Sequence, residues 1–255
     1  MKRKVLKYLV ITVLSAVFTS CQKDDDDSKV QLLETITYSS GNSAKYEYDN
    51  QNRISKMYTY MNTKLLTKTT ITYSGKDLIT FMHEDIDYPE NNLTGKHIKN
   101  GYTITSYKNE EPTGTIYLNK DGYPIRTEGM TEEEDGEWVS YIYTFQYQDG
   151  NMIKMNYTAS LNGVESVGST EYKYDNKKSP LNNCKSPTWL VGNPLGSLYG
   201  RQNNVIEQTS SFLNVKIEYD YEYDDAEYPT KCTMTYKAEI FEGNEYKNII
   251  EFKYK

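Results

Sequence analysis

Polar and apolar positions alternate over long stretches of this 255-residue chain. In 231–241, Cys232, Met234, Tyr236, Ala238 and Ile240 fall on one side, and Lys231, Thr233, Thr235, Lys237 and Glu239 on the other. In 216–223, Ile217, Tyr219, Tyr221 and Tyr223 alternate with Lys216, Glu218, Asp220 and Glu222. A period of two with one greasy and one wet face is the signature of an antiparallel strand. About a dozen or more such stretches lie between residues 31 and 254, at ordinary strand lengths, and none shows the stripe of an amphipathic helix. The expected fold is all-β: a single domain over 31–255, an antiparallel up-and-down meander curled into an open barrel-like sheet or a sandwich. The last stretch, Tyr246 to Tyr254, is expected to pair with an early strand and cover an edge.

The stretches are joined by recurring phrases: KYEYDNQNRISKM at 45–57, ITYSGKDLITF at 71–81, IYLNKDGYPIRT at 116–127, FQYQDGNMIKM at 145–155, EYKYDNKKSPL at 171–181 and YEYDDAEYPTKCTM at 221–234. Each reads as an aromatic strand, an Asp/Asn/Gly turn and a further strand. Asp and Asn side chains bond to their own nearby backbone, and Gly or Asn tolerates positive φ, so these are hairpin signals. Asn52 and Gly122 are expected in the left-handed region. Tyrosines 48, 73, 147, 174 and 223 close the copies, at repeat-like spacing.

One segment departs from the pattern. Residues 179–208 hold Pro180, Pro187 and Pro194, Gly192, Gly196 and Gly200, and the apolar trio Trp189, Leu190 and Val191. A loop this long is self-packed or functional. It is read either as a plug whose Trp189 and Leu190 cap the core or as a ligand-binding loop, with Trp189, Leu190 and Tyr199 as the binding candidates.

The first twenty residues have their own logic. Lys2, Arg3, Lys4 and Lys7 precede the apolar run Tyr8 to Phe18, which is long enough for a signal-peptide core and too short to span a membrane. Thr19 and Ser20 then lead to Cys21. This order resembles the lipobox of bacterial lipoproteins, with Phe18 in place of the usual leucine. The resemblance implies a signal peptide over 1–20 and acyl chains on Cys21, anchored by burial of their methylenes. The run Gln22-Lys23-Asp24-Asp25-Asp26-Asp27 resembles the acidic export tag of Bacteroidetes lipoproteins, which implies an outer-membrane anchor facing the cell exterior. The plainer readings are a secretory signal with an incidental cysteine and, over 21–30, a solvated tether held extended by its own charge.

Charge narrows the partners. The net charge of −7 becomes about −11 once the four cations of 1–20 are removed, which argues against nucleic acid and anionic lipid surfaces. Cys184 and Cys232 remain after Cys21. Cys232 sits on the apolar side of its strand and is read as a buried thiol, although an oxidising compartment permits a bridge. The 26 tyrosines stand against 6 phenylalanines and 2 tryptophans. Tyrosine brings a large apolar body with a polar tip, so it builds a core while its hydroxyl seeks a partner. The alternation also opposes a membrane-spanning barrel, because whole outer faces are Lys, Glu and Thr where lipid would demand an apolar band.

The turn at 46–54 (YEYDNQNRI) resembles the YD repeat of large bacterial surface and toxin shells. The phrases YKYDNKKSPL at 172–181, QNNVIEQ at 202–208 and YEYDDAEYPTKCTMTY at 221–236 resemble a family of Bacteroidetes surface lipoproteins of unknown function with a porin-like β fold. That resemblance implies a fold and brings no catalytic residues.

Chemistry is sparse. Of the two histidines, His83 and His97, only His83 lies among acids (FMHEDIDYPE), and a His-based triad needs more than that. No zinc or calcium spacing and no nucleotide motif appears, so no metal or cofactor is expected. Carboxylates cluster at Glu84-Asp85, at Asp87 and Glu90, and in TEEEDGEW, where Asp135-Gly136 reads as a turn. The function expected is non-enzymatic binding of a glycan, an amphiphile or a protein. The alternatives are a glycan-directed hydrolase using an acid pair and a purely structural surface subunit. Acids in an aromatic groove would favour the hydrolase, and a groove without them would favour binding.

Overall fold

The computed structural model describes residues 30–132, 138–191, 202–211, 214–238 and 245–255. Cys21, the signal and tether segments, Tyr199 and the Asp135-Gly136 turn lie outside them. Sixteen strands follow one another: β1 (Leu33–Tyr38), β2 (Asn42–Tyr48), β3 (Ile54–Met61), β4 (Lys64–Ser74), β5 (Leu78–Asp85), β6 (Leu93–Asn100), β7 (Thr103–Lys108) and β8 (Glu111–Leu118), then β9 (Pro124–Glu132), β10 (Trp138–Gln148), β11 (Asn151–Leu161), β12 (Val164–Tyr174), β13 (Val205–Ser210), β14 (Val215–Tyr223), β15 (Pro229–Ala238) and β16 (Tyr246–Tyr254). The helical pieces among the described residues are a 3-10 turn at Pro89–Asn91 and a four-residue helix, α1 (Thr188–Val191).

Each strand pairs antiparallel with its successor, and β16 pairs with β1, so the sheet is a closed barrel. The expected antiparallel meander curled into a barrel-like sheet is therefore present, and the sheet closes fully. Closure follows from the register of the two terminal strands. Ile36 faces Phe252 and Tyr38 faces Ile250, so both inner faces merge into one core and no edge is left for unwanted pairing.

Three of the hairpins at one end share one geometry. Asp49 accepts hydrogen bonds through Oδ1 from the amides of Gln51 (2.9 Å) and Arg53 (3.0 Å). Asn119 does the same for Asp121 and Tyr123, and Asp224 for Ala226 and Tyr228. The left-handed position falls at Asn52 (φ 60°), Gly122 (φ 82°) and Glu227 (φ 68°). Asp175 starts a fourth copy, bonding the amides of Lys177 and Asn204 at 3.0 Å each. Here Asn204 stands where Arg53 stands in the first copy, and residues 176–203 are inserted between. The departure from strand thus runs from Asp175 to Asn204 rather than over 179–208. Val205 onward alternates as β13 and pairs with Tyr172–Tyr174.

Strands beginning at this end carry bulges, and tyrosine explains how they are tolerated. A bulge disrupts the ladder. Tyr48 donates its hydroxyl to the carbonyl of Leu33 at 2.8 Å, Tyr73 to Ile54 at 2.9 Å, Tyr174 to Met152 at 2.6 Å and Tyr254 to Pro229 at 2.8 Å. Each acceptor sits at a register shift of the preceding strand. Phenylalanine would fill the space without making the bond.

The inserted segment plugs this end. Ser186 is fully buried. Its hydroxyl accepts the amide of Ile54 at 2.9 Å and bonds Tyr73 Oη at 2.9 Å, while the Lys185 amide donates to the carbonyl of Asn52. Asn183 Nδ2 reaches the carbonyl of Gln31 at 3.0 Å, so the chain enters the barrel on the plugged side. Two apolar clusters form the core. Leu33, Ile36, Tyr219, Cys232, Met234 and Ile250 make the first; Ile54, Ile71, Ile79, Ile104, Cys184 and Trp189 make the second. Cys184 and Cys232 are buried free thiols, and burial pushes Cys232 up to about 12.

The outer wall is charged. Lys173, Glu207, Lys216, Glu218 and Lys237 form a chain of ion pairs across β12 to β15, with N–O distances of 2.6–2.9 Å. The Lys237 and Lys216 ammonium groups hold Glu218 down at about 2. Lys68–Glu84 and Lys154–Glu171 repeat the pattern elsewhere.

Candidate functional site

The site is built by four glycines that face inward from the middle of strands. A Cβ on Gly95 would meet the ring of Phe81, one on Gly129 the ring of Tyr141, and one on Gly168 the ring of Tyr157, each closer than 3 Å; one on Gly114 would come within 3.3 Å of the Tyr141 hydroxyl. These rings therefore lie against the wall instead of projecting to the axis. Space is left between β6 and β10.

That space is a cavity of about 170 Å³. Its aromatic walls are Trp189, Tyr141, Tyr143 and Phe145, and its polar groups include His97, Ser106 and Thr127. Among the described residues no carboxylate, lysine or arginine lines it. Register places these residues together. His97 faces Ser106 across β6 and β7, Thr127 faces Tyr143 across β9 and β10, and Gly114 faces Gly129 across β8 and β9.

His97 is the centre of the polar part. Its Nδ1 lies 3.0 Å from Ser106 Oγ. Its ring stacks on Phe81 at 5.4 Å and meets Trp189 edge-on at 5.3 Å. Burial holds the imidazole down at about 4, so it is neutral at physiological pH. Among the described residues Nε2 has no hydrogen-bond partner, and neither do the hydroxyls of Tyr141, Tyr143 and Thr127.

Of the expected binding residues, Trp189 is 8 % exposed and serves two roles, packing in the second core cluster and walling the cavity. Leu190 packs against that cluster and does not line the cavity. Tyr199 and Cys21 lie outside the described residues. His83 is not a surface group beside free acids. It is partly buried, with Nδ1 2.9 Å from Thr69 Oγ1. Its acidic neighbours are engaged elsewhere: Glu84 with Lys68, Asp87 with Lys64, and Asp85 with the amides of Asp87 and Tyr88. Among the described residues no group of three or more His, Cys, Asp or Glu is placed to hold a metal.

Sequence reasoning missed His97, Ser106, Thr127, Tyr141 and Tyr143. The available signal was the set of mid-strand glycines, which mark close approach of another group in a sheet.

Two solved structures are similar to this chain. A porin-like protein from Bacteroides uniformis ATCC 8492 matches 88 % of this chain and 96 % of its own at a TM-score of 0.51 and 13 % identity. A porin-like protein from Bacteroides vulgatus ATCC 8482 matches 88 % and 99 % at a TM-score of 0.45 and 14 % identity. At this identity the first likeness establishes a shared porin-like β fold and nothing of function. No family model and no curated protein matches the chain.

Proposed function

We propose that this chain is a lipid-anchored barrel of the bacterial outer-membrane surface that binds a small molecule in its lumen. On this reading it neither crosses the bilayer with its strands nor catalyses a reaction. The observation that carries it is the cavity: aromatic side chains and hydrogen-bonding groups line one space that, among the described residues, lacks any acid pair. Pockets of this kind, mostly apolar with a few placed polar groups, are the common form of small-molecule sites. A hydrolase would need two carboxylates across the cleft.

The charged outer wall supports the water-exposed placement, since a cation at mid-bilayer costs about 2–4 kcal/mol. The basic, apolar and small-residue order before Cys21 supports the anchor, and the porin-like proteins of Bacteroides are consistent with an outer-membrane-type location. Because Gln31 lies at the plugged end, an anchor on Cys21 would tether that end and direct the other away from the membrane.

Native mass spectrometry of the full-length protein, after exposure to a crude extract of glycans and lipids, tests the binding role. A retained mass that Trp189→Ala abolishes is the expected result. A bare protein with the extract unchanged would favour a structural subunit, and shortened glycans would favour a hydrolase. Loss of membrane fractionation in Cys21→Ala tests the anchor.

A further inference from the structure

Resting on that binding reading, we infer that the occupant is a single uncharged ring carrying hydroxyl groups, such as the terminal hexopyranose of a glycan. Size sets the first limit. A dry cavity of about 150 Å³ holds one benzene ring, so the 170 Å³ here admits one ring and not a chain. A glycan would insert one terminal sugar and leave the rest outside.

The lining sets the second limit. Trp189, Tyr143 and Phe145 line the cavity, and aromatic side chains suit the C–H face of a pyranose. His97 Nε2 and the hydroxyls of Tyr141, Tyr143 and Thr127 reach the cavity without partners among the described residues. An apolar ring would displace the water from these groups and leave them unsatisfied, at a cost of about 1–3 kcal/mol for each group left unpaired. A ring with several hydroxyls satisfies them.

Charge sets the third limit. Among the described residues no lysine or arginine lines the cavity to pair a carboxylate, and no acid to pair an ammonium. A charged sugar would bury its charge alone. The selection is therefore for neutral sugars over uronic acids and amino sugars of the same ring size.

The two tryptophans make this measurable. Trp138 is 54 % exposed on the outer wall, and Trp189 is 8 % exposed at the cavity. In full-length Trp138→Phe protein, held in a detergent without a sugar headgroup, Trp189 is the sole tryptophan and is excited at the red edge, beyond tyrosine absorption. It would be titrated with neutral methyl hexopyranosides, a hexuronic acid, a hexosamine and p-cresol.

The expected result is a saturable change in Trp189 emission with at least one neutral pyranoside. The uronic acid and the amine should bind about tenfold more weakly or worse. Thr127→Val and His97→Phe, each added to that reporter, should weaken the pyranoside about tenfold. Binding of p-cresol alone would overturn the sugar inference and leave the binding reading standing. Tighter binding of a charged sugar, or pyranoside binding unaffected by both variants, would also overturn it. No response to any probe would overturn both.

Discussion

The two sides of this barrel fill their interiors in opposite ways. From β12 through β16 to β2, inward tyrosines point at the axis and pack on Leu33, Ile36, Met234, Ile250 and Phe252. The described inner faces of β13 to β16 and of β1 to β3 contain no glycine. From β6 to β12, inward glycines at 95, 114, 129 and 168 take aromatic rings against the wall, and the axis is left open beside Trp189. What differs is whether the facing position has a Cβ. A glycine placed opposite a tyrosine turns a core-filling side chain into a cavity wall, so the site is made by what the wall lacks.

The most damaging way to break this contrast is to restore a Cβ. A methyl on Gly129 would lie 2.4 Å from the carbonyl of Thr113 and 2.5 Å from Tyr141 Oη. The ring can move, but the backbone cannot. Gly129→Ala is expected to cost on the order of 3 kcal/mol, read as a lowered midpoint in denaturant unfolding, and to push Tyr141 into the cavity. Gly168→Ala meets only the ring of Tyr157, which can swing, so about 1 kcal/mol is expected. Equal losses at the two sites would show that the flattened rings, and not the Thr113 carbonyl, set the cost.

Next in size is the plug's staple. Ser186→Ala removes the acceptor of the Ile54 amide and a partner of Tyr73 Oη at a fully buried point. About 2 kcal/mol of stability should be lost. If the plug is an independent lid, hydrogen exchange will rise over 176–191 and at Ile54 while the distant amides of β14 and β15 stay protected. Uniform loss of protection would make plug and barrel one cooperative unit.

A comparable effect depends on pH. His97 is held down at about 4, against 6.5 for a free histidine, by burial. Between those values the unfolded chain takes up a proton that the folded chain refuses, so folding stability is lost as pH falls from about 6.5 through 4 and is fully present above. The groups facing His97 are Ser106, Phe81 and Trp189, none of which titrates in that window. With the ring only partly enclosed, the loss attributable to this residue should be about 2 kcal/mol. His97→Gln should flatten that portion of the profile when stability is followed by urea unfolding at each pH. An unchanged slope would place the proton uptake elsewhere.

The legible part of the molecule was its local grammar. Alternation placed β14 and β15 with the correct inward set, the Asp/Asn/Gly turns placed Asn52 and Gly122 in the left-handed region, and Trp189 stood out as a plug residue. The pairing of the last strand with an early one was legible as an edge to be covered, whereas full closure was not, because it depends on the shear and tilt of all the strands together. The cavity was hidden for a related reason. Gly95, Gly114, Gly129 and Gly168 look like interruptions in their own strands, and their meaning appears only when the facing residue is known. His83 attracted attention through its acidic neighbours in sequence. His97, with none, holds the buried position because Ile79, Ser106 and Phe81 surround it across strands.

The finest test concerns tyrosine itself. If the aromatic strands were needed only for bulk, Tyr48→Phe would be silent, since the ring stays and only a hydroxyl is lost. Tyr48 Oη, however, donates to the carbonyl of Leu33 at the bulge of β1, 2.8 Å away, and Leu33 is 1 % exposed. Without that hydroxyl the carbonyl has no water to turn to, and about 1 kcal/mol should be lost. Tyr60→Phe, outside this set of bulge contacts, is the control and should change stability by less than about 0.5 kcal/mol. A matching loss at Tyr254→Phe, whose hydroxyl caps Pro229 in the same way, would show that the repeated tyrosine at strand ends serves the bulged geometry on the filled side, and one at Tyr174→Phe, whose hydroxyl caps Met152 of β11, would extend it to the cavity side. The two sides would then differ only in the glycines, which is where the cavity lies.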